Sequence, residues 1–152
     1  MALSASFAAA DAATAQGPND YSTVADFPGG VTEHVILVSI DGLRPDAIDA
    51  FGAPTLQRMM DNGSYSLAAS TIMPSKTLPS HTTMLTGVTA EVHGITWNSY
   101  EADRLGFVEV PTVFELAHDA GLSSAAFVAK AKFRHLLDPS EIDYFEVPAS
   151  NA

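Results

Sequence analysis

Hydrophobic positions along the chain follow two kinds of pattern. Val35 to Ile40 is apolar at every position except Ser39, rich in β-branched residues, and closed by Asp41-Gly42. A short continuous run of this kind predicts a strand buried on both faces, as strands of parallel sheets are. From Pro54 the spacing changes: Leu56, Met59 and Met60 recur at i, i+3 and i+4. Pro54 suits the first position of a helix and Asn62-Gly63 ends it. A short helix is predicted from Pro79 to Thr86 before Gly87, and another from Thr112 to about Ala120. The latter is striped by Val113, Leu116, Ala117 and Ala120 and stopped by Gly121. β-rich pieces stand at Tyr65 to Ile72, Ser124 to Ala129 and Tyr144 to Val147. The order strand, helix, strand, helix, helix, strand, strand predicts an α/β layered fold with a mostly parallel sheet. No internal repeat is present.

The first thirty residues follow neither pattern. Residues 1–18 contain eight Ala, no Lys or Arg, and the small-x-small stretch Ala13-Thr14-Ala15 that a signal peptidase would accept. The basic start of an export signal is missing. Two readings stand: the tail of an export signal, which implies an extracytoplasmic (periplasmic or secreted) protein, or a flexible Ala-rich leader. Gly17-Pro18, Asn19-Asp20 and Pro28-Gly29-Gly30 are turn and linker signals. Residues 1–30 are therefore read as leader and linker, and 31–152 as the folded part.

Composition narrows the chemistry. The 152 residues are 47% apolar and 16% charged, enough to build a core, which excludes disorder as a global description. Seven Lys and Arg against 18 Asp and Glu give a net charge of −11. That balance argues against a nucleic-acid-binding surface, which needs clustered cations. The absence of Cys excludes a disulfide framework, a thiolate zinc site and a Cys nucleophile. No apolar run reaches the roughly 18 to 20 residues that span a bilayer.

In open α/β sheets ligands gather at the carboxyl ends of strands, and three features fall where that rule places a site. Asp41 directly follows the first predicted strand; an Asp before Gly is commonly a turn residue, and the functional reading is a hard carboxylate ligand for a divalent metal. Thr77 lies in TIMPSKTLPSHTTMLTG just before the helix expected from Pro79. Backbone N–H groups and the helix dipole favour an anion there. A Thr at such a point is ordinarily a cap; the alternative is a nucleophilic hydroxyl, which needs activation by a base or a metal. Asn98 lies in the turn-rich EVHGITWNSY, as a turn former or as an N–H donor to a phosphoryl oxygen.

The strand-Asp-Gly motif, the PSKTLPSH loop with Thr77 36 residues after Asp41, and the His-Gly-Ile stretch with Asn98 21 residues after Thr77 appear in one order. Together they resemble the nucleotide pyrophosphatase/phosphodiesterase family of the alkaline phosphatase superfamily, from about His34 to Val147. The KFRHLLDPSEIDYFEVP segment resembles the bacterial members. The resemblance implies a three-layer α/β/α fold and a two-metal phosphoryl-transfer enzyme. Asp41 would be a ligand of one of two divalent ions, expected to be zinc. Thr77 would be both the covalent nucleophile and a metal contact, and Asn98 would hold a non-bridging phosphoryl oxygen of a small-molecule phosphate ester. Thr at this point is also shared by phosphonoacetate hydrolases and phosphoethanolamine transferases of the superfamily, so the substrate class stays open, with diesters favoured and a phosphonoacetate hydrolase or phosphomonoesterase of the superfamily as the alternative.

Several other residues are read as ordinary. Lys76 beside Thr77 either meets phosphate or is solvated. His81 is expected at the edge of the site and His93 in a structural hydrogen bond. His34, His118 and His135 are expected at the surface or at strand ends, and Arg44, Asp46 and Asp49 as solvated charges in a helical turn. The later metal ligands of the family, including its Asp-His pair, find no match in these 152 residues. The resemblance therefore implies an amino-terminal part of such an enzyme, inactive by itself and with an exposed sheet edge prone to self-association. A catalytically incompetent α/β fragment is the alternative.

Overall fold

A computed structural model of the chain describes residue 32 and residues 34–147. The expectations for residues 1–30 lie outside the described residues. The chain divides between Ala69 and Ser70 into two compact units.

In the first unit, α1 (Pro45–Ala50) and α2 (Pro54–Asn62) each carry Pro in the first turn. The ring presets φ there and its missing N–H would have had no helical partner. α2 has the limits that its sequence predicts, and the side chain of Ile48 on α1 is buried. Ala53 N–H donates to Ile48 O at 3.0 Å, closing the turn between the helices.

Two expected strands do not form. Val35 to Ile40 is irregular and its side chains are exposed, Val35 at 88% and Ile36 at 80%. Tyr65 to Ile72 is likewise irregular. Propensity supplies only one side of a ladder: a strand exists when another segment accepts and donates its backbone hydrogen bonds. Among the described residues neither run pairs in a sheet. Within 65–72 the Ser66 hydroxyl also accepts Ala68 N–H locally, an alternative to strand geometry.

The second unit holds α3 (Thr77–Thr86), α4 (Ala90–His93), α5 (Ala102–Leu105), α6 (Val113–Asp119), β1 (Ala125–Phe127), a 3₁₀ helix (Ala131–Leu136) and β2 (Tyr144–Glu146). β1 and β2 pair in parallel, with Ala125 opposite Tyr144 and Phe127 opposite Glu146. Both lie inside the segments expected to be strands, so helices and a small parallel sheet make the described chain a partial α/β fold. Thr112 caps α6 by accepting Phe114 N–H and Glu115 N–H, and Gly121 follows at φ 70°, so both expected signals operate. The core is Leu78, Ile95 and Leu136, with Leu85, Trp97, Val108 and Phe133 packed around them. It joins the first turn of α3 to the 3₁₀ helix and to the segment between them. No helix among the described residues is long and apolar enough to cross a membrane.

Candidate active site

Thr77 is the first residue of α3 rather than the residue before it. Lys76, extended at φ −111° and ψ 155°, is the N-cap. Pro79 occupies the third helical position, where its lack of an N–H is still tolerated because first-turn donors have no helical acceptor. One of those donors, Leu78 N–H, finds its partner far along the chain: it donates to Asn98 Oδ1 at 3.0 Å. Leu78 itself is fully buried, so the start of α3 is fixed from below by packing and from the side by Asn98.

A second donor meets the same oxygen. Lys132 Nζ on the 3₁₀ helix donates to Asn98 Oδ1 at 2.9 Å, and Lys132 is only 8% exposed. Asn98 Oδ1 thus accepts from a helix N-terminal amide and from an ammonium. That assignment turns its Nδ2 hydrogens away from both, and among the described residues they make no hydrogen bond. Asn98 is exposed, so these two N–H groups face solvent. Sequence reading missed Lys132. Its one legible signal was a Lys inside the run AKFRHLL, flanked by residues that proved to be core.

The histidines sort into three settings. His81 Nδ1 donates to Thr77 O at 2.7 Å, one helical turn along α3, so His81 adjoins Thr77. His93 is buried: Ile95 N–H donates to its Nδ1 at 3.1 Å, which leaves Nε2–H facing Thr83 Oγ1 at 3.0 Å. His34 and His118 are exposed. His135 corrects the expectation of a surface position, since it is fully buried. It accepts from Trp97 and Glu101 and donates to Gly106, so its polar atoms are satisfied inside the core.

Burial pushes the His93 pKa below the usual 6.5, against smaller opposing effects of its own backbone bond and Glu91. The folded ring therefore stays neutral while the unfolded chain takes up a proton as pH falls through about 6.5. This contribution to stability is complete above that pH and is lost as pH falls below it toward the folded pKa. In urea unfolding of the chain, the midpoint is expected to drop between pH 7.5 and pH 5.5, and His93→Gln to flatten that drop. A His93→Gln slope equal to the wild type would clear His93 of the effect.

The segment after Asn98 is braced by its own charges. Ser99 Oγ donates to Glu101 at 2.6 Å and the Arg104 guanidinium pairs with the same carboxylate, which together hold Glu101 below the ordinary carboxylate range. Lys76 is exposed.

Asp41 belongs to the first unit. It stands exposed in the turn after Ile40, where Leu43 N–H reaches Ile40 O at 3.4 Å and Gly42 takes φ 80°. That backbone angle favours Gly. Beyond it, Arg44 pairs with Asp46 at 2.6 Å on the surface, and Asp49 accepts from Gln57, as solvated charges do. Among the described residues no three His, Cys, Asp or Glu side chains stand together as a metal cluster. The Asp41 carboxylate in the first unit and the Thr77 hydroxyl in the second are each a hard oxygen of the kind a divalent ion takes, and neither makes a metal centre by itself.

The arrangement in the second unit can present a hydroxyl-bearing helix start, an outward amide and a nearby ammonium to an anion. Comparison with known proteins places this in context. The sequence model of the type I phosphodiesterase / nucleotide pyrophosphatase family matches residues 35–135. The chain is 40% identical over 73 residues to the frog (Xenopus laevis) bis(5'-adenosyl)-triphosphatase enpp4, which covers 47% of this chain and 16% of that protein. It is 34% identical over 74 residues to the mouse ectonucleotide pyrophosphatase/phosphodiesterase family member 3, covering 47% of this chain and 8% of that one. To human family member 1 it is 32% identical over 69 residues, 44% of this chain and 8% of the relative. The chain thus spans a small part of the curated relatives that it matches. No solved structure matches. With Asp41, Thr77, Asn98 and Lys132 all inside the matched stretch, the chain belongs to the type I phosphodiesterase / nucleotide pyrophosphatase family.

Proposed function

We propose that the protein hydrolyses phosphodiester and pyrophosphate bonds of nucleotide-like substrates through a covalent phosphothreonine at Thr77. The observation that carries this reading is the placement of Thr77 at the head of α3, with Asn98 fastened to the N–H of the very next residue. A nucleophile and a transition-state donor must share one rigid frame to act on one phosphorus. The relatives' names specify bis(5'-adenosyl)-triphosphatase and ectonucleotide pyrophosphatase/phosphodiesterase, and that substrate class is the one extended to this protein.

In the proposed reaction Thr77 Oγ forms a bond to phosphorus as the bond to the leaving alcohol or phosphate oxygen breaks. Water then cleaves the phosphothreonine ester, and the net change is the addition of one water across the diester. Asn98 Nδ2–H donates to a non-bridging oxygen as charge develops on it. Lys132, held at Asn98 Oδ1, adds positive potential beside that oxygen in a chain whose net charge is −11. A threonine hydroxyl is a weak nucleophile near neutral pH, so the reading includes two divalent ions, proposed as zinc, to supply activation. Asp41 and Thr77 are the donors proposed from this chain, with the remaining ligands outside the described residues. The complete domain is proposed as a three-layer α/β/α fold, and its location as extracytoplasmic, in line with the ecto- prefix of the relatives' names.

The test is cleavage of a chromogenic phosphodiester and the matching monoester by the full natural protein. The diester is expected to be preferred, and activity to be lost on chelation and restored by zinc. Asp41→Asn is expected to lower bound zinc by metal analysis. Preference for the monoester would redirect the substrate class, and undiminished zinc in Asp41→Asn would remove Asp41 as a ligand.

A further inference from the structure

All three side-chain hydrogen bonds of His135 run to the segment that carries Asn98. Its Nδ1–H donates to Gly106 O at 2.7 Å, which leaves Nε2 as the acceptor of the neutral ring. Nε2 takes Trp97 Nε1–H at 3.3 Å and Glu101 N–H at 3.2 Å. The indole and imidazole meet edge to face with centroids 5.4 Å apart, and Val108 N–H donates to His135 O at 2.8 Å. The segment is therefore held at 97, 101, 106 and 108, on both sides of Asn98. A 3₁₀ helix repeats every three residues, so Lys132 lies one turn before His135 on the same side, where its Nζ meets Asn98 Oδ1.

We infer that His135 is a positioning residue for phosphoryl transfer: it aims the Asn98 amide by anchoring the residues on either side of it, without itself meeting substrate. The inference rests on the roles proposed above for Thr77 and Asn98. A donor stabilises a transition state only when it already points where charge develops, because reorienting it during reaction would forfeit the gain. Displacement on the order of 1 Å can cost about a hundredfold in rate. Asn98 is exposed and belongs to no helix or strand, so its own backbone does not provide that rigidity. The buried imidazole does, through one acceptor that gathers two donors and one donor that reaches Gly106.

The experiment compares three variants of the full natural protein on a chromogenic phosphodiester. His135→Leu keeps bulk and removes all three side-chain hydrogen bonds; kcat is expected to fall about 10- to 100-fold with KM changed less than about threefold. His135→Gln returns an acceptor near the Nε2 position and is expected to recover most of that loss, which a purely packing role would not do. Trp97→Phe keeps an aromatic ring in place of the smaller part of the indole and removes the N–H that His135 accepts, so it tests the same anchor even where His135→Leu folds poorly; a kcat loss of about three- to tenfold is expected. A readout independent of activity comes from the 152-residue chain, in which Trp97 is the only tryptophan. Its emission and its quenching by acrylamide are expected to change in His135→Leu and to return toward wild type in His135→Gln. If folded His135→Leu and Trp97→Phe both keep wild-type kcat while Thr77→Ala is inactive, the positioning role falls and the phosphoryl-transfer reading stands. If the wild-type protein leaves the diester intact, that reading falls and the positioning role with it.

Discussion

Thr77→Ala in the full natural protein is expected to reduce diester hydrolysis by at least about a thousandfold, the scale seen when a covalent nucleophile is removed. The fold should tolerate the change. Thr77 opens α3 as its first residue, Ala is a better helix former than Thr, and the cap position belongs to Lys76. The carbonyl that His81 uses is a backbone group and survives the substitution. Melting temperature is thus expected to stay within a few degrees of wild type while turnover disappears. Thr77→Ser keeps a hydroxyl at the same point and should retain measurable activity. Rapid quenching of the wild-type reaction should trap phosphate on Thr77 and none on the alanine variant. Retention of most activity in Thr77→Ala would remove the residue from its proposed role.

The second large effect is expected at Asn98, and two substitutions separate what its amide does. Asn98→Ala deletes the acceptor of Leu78 N–H and of Lys132 Nζ along with the outward N–H groups. It is expected to lower kcat about 100- to 1000-fold, as for a lost transition-state donor. It should also destabilise the unit by about 1 to 3 kcal/mol, because it leaves a buried-side amide and an ammonium without that partner. Asn98→Asp keeps an acceptor for both and lacks only the N–H donors. Its stability is expected to match or exceed wild type, while its kcat falls as far as that of Asn98→Ala or further. Equal activity in Asn98→Asp and wild type would show that Asn98 serves the helix start and not the phosphoryl group.

These two residues also show how far the site can be read before the chain is folded. The place of Thr77 at a helix start was legible because a Pro-bracketed loop running into a helix is a local signal, and local rules act over three or four residues. Asn98 was legible as a polar residue in a turn and, through the motif order, as a family position. Its hydrogen bond to Leu78, 20 residues back, was not. Lys132 drew no reading and His135 read as a surface or strand-end residue, because nothing in KFRHLL states which side of a 3₁₀ turn will face the core.

The same distinction governs the fold. By itself the sequence determined α2 from Pro54 to Asn62, α6 with its Thr112 cap and Gly121 stop, and the two segments that pair as β1 and β2. It also determined the motif order that marks the family. Those features arise from ring geometry, capping hydrogen bonds and side-chain period, all set within a turn or two of chain. Only the tertiary structure decided that Val35–Ile40 lies without a ladder among the described residues, that His135 is buried, and that Lys132 and Leu78 N–H meet on one oxygen of Asn98. Each of these depends on a partner 20 or more residues distant or on the lack of one nearby, and a hydrogen bond or a buried face is a property of two segments brought together, which neither segment encodes alone.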